Sequence, residues 1–339
     1  MSITFVDGCT HYDDLLHKWG AKGGSAGMGS VNPRRSGVKY IACSGADDWV
    51  ETPVVLSGTA RASVGSAIIL NPFPFTHAGV VLYDGTAAQL TLLWDSSTGA
   101  LVLKRGGPTG TTLATSASGI VQADRWYYLE FAARIHDTLG STEVRLNGSV
   151  IAALTLTNVD TKPGTATGID RIRFYGSAGY CDIWVDQSAD PHIFHGDCVV
   201  ETIMPTGAGA SADWTPSAGA NYQNVDDPGA IDEDATYNSS NTEGDIDTFV
   251  CGNLPSRPTS TILAVAVNLA VRKDDTATRN ILAMARIGST NYGIGSSFNP
   301  TSDYIVHQKL RETNPADSQA WEEADVNAAE FGYQQYSIT

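Results

Sequence analysis

Between Trp126 and Leu156, WYYLEFAARIHDTLGSTEVRLNGSVIAALTL, apolar and polar positions alternate with a period of two. Tyr127, Leu129, Phe131, Ala133 and Ile135 fall on one side, and Tyr128, Glu130, Arg134 and His136 on the other. That is the pattern of a strand with one buried and one solvated face. Asn147-Gly148 tolerates the two positive φ angles of a type I′ turn, so residues 143–146 are predicted to pair directly with 149–154 across it. The whole stretch reads as three antiparallel strands.

The same pattern predicts a strand over 180–186, followed by a connector over 187–196, whose QSADPHIFHG is proline-containing and polar. Residues 205–212 are small, glycine-rich and without an apolar period, which predicts a linker or exposed loop. Residues 213–249 form a long polar run with little strand periodicity, read as a loop or arm. Beyond it, TILAVAVNLAV (261–271) and NILAMARI (280–287) are apolar, β-rich runs separated by polar residues, as expected for paired strands of a second sandwich. Near the end, Asp317 or Ser318 can cap a short helix with Glu322 and Glu323 in its first turn, where carboxylates favour the positive dipole end.

Composition agrees with this picture. The 34 glycines, many paired with Ser, Thr or Ala, mark frequent turns between short strands. At 339 residues the chain is long for one sandwich, so it is read as all-β with two antiparallel β-sandwich domains, 1–200 and 201–339. No stretch approaches the roughly 18 apolar residues of a membrane helix, and the first residues lack the basic and apolar regions of a signal peptide. Neither secretion by signal peptide nor membrane insertion is expected. The five cysteines, Cys9, Cys43, Cys181, Cys198 and Cys251, are widely spaced with no CxxC pair, which predicts reduced, mostly buried thiols and no zinc site.

The net charge of −16 is uneven: residues 1–205 carry 14 basic and 19 acidic side chains, residues 206–339 carry 7 and 18. Such a surface repels phosphates, so no direct nucleic-acid partner is expected. Catalytic signatures are missing or misplaced. Residues 23–27 match G-x-S-x-G but lack the flanking strand and helix of a nucleophile elbow, and the E-x-D-x-x-E pattern of sandwich-fold glucanases does not occur. Asp226, Asp227, Asp232 and Asp234, in the acidic run that continues to Asp247, offer oxygens to a calcium ion without EF-hand spacing. A solvated loop is the simpler reading. His192 and His195 are the closest histidines, with no acidic residue at metal-ligand spacing. Trp94, Trp214 and Tyr222 are candidates for stacking on sugar rings, if exposed.

An ordered set of motifs resembles virion proteins of tailed bacteriophages that contain concanavalin A-like (laminin G-like) jelly-roll domains. Asp7-Gly-Cys-Thr-His-Tyr12 with Lys18-Trp19 resembles their opening, the hairpin at Asn147-Gly148 their central strand pair, and Tyr180 to Asp186 their closing strand. Asp213-Trp-Thr-Pro216, Asn224-Val-Asp-Asp227, Asp234-Ala-Thr-Tyr237 and Gly244-Asp-Ile-Asp-Thr-Phe249 resemble a recurrent phage structural motif, and the stretch from Ala320-Trp321 to Gly332 a closing helix-to-strand segment. Cys9 and Cys181 stand where the patterns often have Phe and Asp, which removes a calcium ligand at the second position.

The resemblance implies a non-enzymatic tail, fibre or capsid-surface component, made in the host cytoplasm and located in the virion. It implies a homo-oligomer, trimeric or hexameric, held to other virion proteins through sandwich faces and the arm. Trp214, Tyr222, Val225, Tyr237, Ile246 and Phe249 are then the partner-binding candidates. The alternative is a module that binds or cleaves a host surface polysaccharide.

Overall fold

The computed structural model describes residues 2–29, 34, 38–71, 77–166, 168–187, 192–257 and 260–339. The protein is all-β, with antiparallel sheets and, among the described residues, one short α-helix, Glu323–Ala328. Among the described residues no helix is long and apolar enough to cross a membrane. The chain divides into two compact units: Ser2–Cys9 with Asp14–Val200, and Thr10–Asp13 with Glu201–Thr339.

The N-terminal unit is a sandwich of a nine-stranded and a seven-stranded sheet. Alternate residues of each sheet meet in the middle, where Phe174 packs on Tyr180 at 5.0 Å and on Trp19 at 5.9 Å. The Tyr180 hydroxyl donates to the Tyr175 carbonyl at 2.7 Å, so the aromatic filling also has its polar end satisfied.

The hairpin forms as its sequence predicts. Asn147 and Gly148 have φ of 50° and 77°, and Leu146 pairs with Ser149. The return strand is shorter than expected, because Ser149–Val150 gives way to a 3₁₀ turn at Ala152–Leu154 before pairing resumes at Leu156–Val159.

The supposedly solvated face of Trp126–Arg134 is instead buried in its middle, with Tyr128 and Glu130 almost fully covered. The cause is the connector, which lies across this face. Glu130 Oε1 accepts from the backbone N–H groups of His195 (2.9 Å) and Gly196 (2.8 Å). His195 Nε2 sits 2.9 Å from Asp186, and its ring meets Trp184 edge-on. The Arg145 guanidinium lies 3.9 Å from the Phe194 ring. Charge-assisted acceptors under a covering segment are what keep carboxylates tolerable there. Residues 188–191 of the predicted connector lie outside the described residues.

Trp184 lies over Gly65, where an added Cβ would stand 2.2 Å from the indole nitrogen. Gly65→Ala is therefore expected to displace the indole and cost about 1–3 kcal/mol, read as a lower midpoint in denaturant at unchanged m-value.

In the C-terminal unit a five-stranded sheet faces a two-stranded one. The sequence expectation that the two apolar runs pair with each other is corrected: Val265–Val271 pairs with Ile305–Arg311, and Arg279–Ile287 with Thr290–Phe298 and Glu330–Ile338. The runs meet face to face, Val267 packing in one core with Ala283, Ala285, Ile294 and Phe331. Pro205–Ala212 is likewise no linker but the edge strand of the five-stranded sheet, its small residues alternating half-buried and exposed. An edge strand needs no large side chains on its free face, which is why it lacks an apolar period. The helix is capped by Glu322, not Asp317 or Ser318, and the Glu322 N–H donates to Asp325 at 3.0 Å.

His307 is stacked on Phe298 at 4.0 Å in this unit. Burial, reinforced by Lys309, lowers its pKa to about 4. The folded value lies below the ordinary 6.5, so the unfolded chain takes up a proton that the folded one refuses. Stability from this group is present above pH 6.5 and lost as pH falls towards 4. His307→Gln is expected to flatten that part of the stability–pH curve, measured by urea denaturation across the interval.

Candidate functional site

The strand Arg171–Gly176, RIRFYG, sorts its residues cleanly: Ile172 and Phe174 point into the sandwich and are fully buried, while Arg171, Arg173 and Tyr175 lie on the outer face of the seven-stranded sheet. Its neighbours continue two rows across that face. Through cross-strand pairing, Lys104, Thr91, Val81, Arg173 and Glu51 form one row. Val102, Leu93, Gly79, Tyr175 and Trp49 form the next. Residues paired in register share a face, so these side chains stand together although they come from five strands.

The apolar members make a small cluster of their own, separate from the sandwich core: Val81, Leu93 and Tyr175, with Trp49, Tyr83, Ala88 and Val102 packed on it. Arg173 lies above this floor between two rings, its guanidinium carbon 3.8 Å from the Trp49 ring and 4.5 Å from that of Tyr83. Both contacts are within cation–π range. Glu51, almost buried, fixes the guanidinium: its Oε2 accepts from Arg173 Nε at 3.0 Å and lies 2.8 Å from Nη2. Its other oxygen is 3.5 Å from Arg171 Nη1. Arg171 is also held by Asp170, at 3.1 and 3.2 Å, and that pairing raises its pKa further.

Among the described residues, several donors on this face have no acceptor within the protein. The Tyr175 hydroxyl is buried without a hydrogen bond, and burial pushes its pKa well up, so it remains a donor at neutral pH. Among the described residues, the Trp49 indole N–H, the Tyr83 hydroxyl, Arg173 Nη1 and the Lys104 ammonium make no hydrogen bond or ion pair either. Polar groups on a protein surface of this kind are normally satisfied, by water if not by protein. Partly exposed donors beside aromatic rings, free of protein acceptors, can exchange water for a ligand rich in oxygen acceptors. The carboxylates beside these donors, Glu51 and Asp170, are both engaged by arginines.

The residues singled out from the sequence lie elsewhere. Trp94 is corrected as a stacking platform: it pairs with Ala78 on the inner side of its strand and is only 5% exposed. Trp214 and Phe249 are corrected likewise as contacts for a sugar or partner. Both pack on Tyr333, at 4.7 and 5.7 Å, within the C-terminal unit. Tyr222, Val225 and Ile246 are half-buried, and Tyr237 is exposed.

The arm is pinned by Asp247, which is fully buried. Its carboxylate accepts from the Trp214 N–H at 3.0 Å and from Asn221 Nδ2 at 2.7 Å, and the Tyr333 hydroxyl lies 3.4 Å away. The polar run is thus ordered by a hydrogen-bond network, which carries no periodicity for a sequence reading to detect.

The acidic residues do not converge. Asp234 pairs with Arg272 and accepts from Tyr304, both at 2.9 Å, and Asp232 accepts from Thr236 at 2.7 Å. Asp226 and Asp227 are half-buried, and burial, with Asp232 second, raises the pKa of Asp227. Among the described residues no three His, Cys, Asp or Glu side chains gather so as to hold a metal ion. Ser25 of the G-x-S-x-G match sits in a turn between two short strands, its hydroxyl and N–H bound to Asp48.

The sequence matches no protein-family model and no curated protein. Solved structures with a similar course of chain include the cellulose-induced protein Cip1 (TM-score 0.37, 14% identity, 48% of this chain and 86% of that one). Domain 4 of AbnA, a GH43 extracellular arabinanase from Geobacillus stearothermophilus solved with arabinotriose, has a TM-score of 0.33 at 14% identity over 53% and 82%. The carbohydrate-binding module CBM66 from Bacillus subtilis has 0.31 at 10% identity over 44% and 86%. Likenesses of this size leave the site to rest on its own geometry.

Proposed function

We propose that the N-terminal sandwich binds carbohydrate on the outer face of its seven-stranded sheet. The observation that carries this reading is Arg173, clamped between Trp49 and Tyr83 and oriented by Glu51 beside the unpartnered Tyr175 hydroxyl. Rigid rings offer apolar contact to the C–H faces of a sugar, and the fixed donors meet its oxygens. Ordering such groups in advance removes part of the cost of binding. The full chain is expected to bind a subset of immobilised oligosaccharides, and Trp49→Ala to weaken that binding at least about tenfold by calorimetry. Absence of saccharide binding by the wild-type chain would count decisively against the proposal.

A second reading, a non-enzymatic virion component assembled with other virion proteins, is favoured by the ordered motifs from Asp7-Gly-Cys-Thr-His-Tyr12 to Gly332. It is compatible with the first, since an adhesin can be part of a particle. Quantitative mass spectrometry of purified particles tests it: copies in small multiples of three or six support a tail position, hundreds a capsid one, and none removes it.

A further inference from the structure

Resting on the carbohydrate reading, we infer that the saccharide taken by this face is acidic, an oligosaccharide carrying carboxylates such as a uronate chain. The chain as a whole carries −16, yet this face places Lys104, Arg171 and Arg173 around an apolar floor against Glu51 and Asp170. Asp170 is committed to Arg171, and Glu51 lies closest to Arg173. Lys104 has no carboxylate within reach among the described residues, and Arg173 keeps Nη1 without an acceptor. At the far end of the face Asp95, an ionised carboxylate, is held by Ser97 and Thr98 at 2.7 and 2.9 Å and makes no ion pair with Lys104.

The spacing adds a second argument. Lys104 and Arg173 occupy one transverse row, separated by the strands that carry Thr91 and Val81. Three inter-strand steps of about 4.8 Å put their backbones roughly 14 Å apart, longer than a single sugar ring. Between them the row offers Val81 and Thr91, and the adjacent row Gly79 and Leu93, none of which projects a charge. An acidic oligosaccharide laid across the strands would place one carboxylate against the planar guanidinium, a geometry suited to carboxylate, and another against the ammonium.

The experiment is calorimetric titration of the full chain with two matched ligands: a uronic-acid oligosaccharide, and the same oligosaccharide with its carboxyls reduced to hydroxymethyl groups. A sulfated oligosaccharide of equal length is the third arm. The acid form is expected to bind at least about tenfold more tightly than the reduced form at low salt, with the ratio shrinking as ionic strength rises. Lys104→Met, at a half-exposed and unpaired position, is expected to narrow the ratio to less than about threefold. Equal affinity of acid and reduced forms overturns the inference and leaves the carbohydrate reading standing. Tighter binding of the sulfated chain overturns the choice of carboxylate. Binding of none of the three overturns the inference, and an accompanying blank on the immobilised oligosaccharides overturns the carbohydrate reading with it.

Discussion

Replacing Asp247 with alanine is expected to remove most of the stability of the C-terminal unit while leaving the N-terminal sandwich folded. The carboxylate is fully buried and is the common acceptor for the Trp214 backbone N–H and the Asn221 side chain. Alanine leaves the buried Trp214 N–H unpaired and removes one of the two acceptors of the half-buried Asn221 amide, for a loss of about 2–4 kcal/mol. That corresponds to a fall in melting temperature on the order of 10 °C. Asn221 also donates to the Trp214 carbonyl, and Asn238 bridges the Asn221 carbonyl to the Tyr333 hydroxyl, so the loss spreads along the arm.

Native-state hydrogen exchange reads this directly. Amides of Ile246–Cys251 and Glu330–Ile338 are expected to lose protection, and those of Arg171–Gly176 to keep it. Burial raises the Asp247 pKa above the ordinary carboxylate value despite these hydrogen bonds. The folded state therefore holds its proton more tightly than the unfolded chain, and between the two values this group adds stability as pH falls. Asp247→Asn should abolish that slope. Unchanged exchange in the alanine variant would mean that the network does not hold the arm.

Glu51→Ala is the second large effect, and it falls on binding first. Glu51 anchors Arg173 at 2.8 Å and touches Arg171 at 3.5 Å. Without it the Arg173 guanidinium keeps its two rings but loses the acceptor that sets its orientation. The expected cost is about 2 kcal/mol of folding stability, less than for a fully buried pair because both arginines are about a quarter exposed. Saccharide affinity should fall further, by about thirtyfold or more, because a fixed donor becomes a mobile one. Glu51→Gln, which retains one acceptor oxygen, is expected to recover most of the stability and part of the affinity. Full affinity in the alanine variant would show that orientation of Arg173 does not matter.

The parts of the fold legible in the sequence are those written in local chemistry. Asn147-Gly148 announces its turn because few dipeptides accept two positive φ angles, and the alternation around it locates strands. Local pattern does not say which strand pairs with which. Two adjacent apolar runs look like a hairpin, whereas Val265–Val271 and Arg279–Ile287 belong to opposing sheets. Nor does it say what covers a strand's polar face. Glu130 reads as solvated until the connector carrying His195 and Gly196 closes over it.

Trp94 shows the same limit from the other side, since an aromatic on a strand has two faces available and register alone decides between them. The candidate site was partly written in R-I-R-F-Y, where Arg171, Arg173 and Tyr175 alternate with Ile172 and Phe174. Its other half, Trp49 and Glu51, lies about 120 residues earlier and joins only through strand pairing.

The most direct test of the account follows the tryptophan indole N–H signals by nuclear magnetic resonance as a bound oligosaccharide is titrated in. The Trp49 signal, assigned by its loss in Trp49→Ala, is expected to shift with saturation, while those of buried Trp94, Trp184 and Trp214 stay in place. A saccharide that binds without moving the Trp49 signal, or that moves only Trp214, would contradict the placement of the site on the seven-stranded sheet.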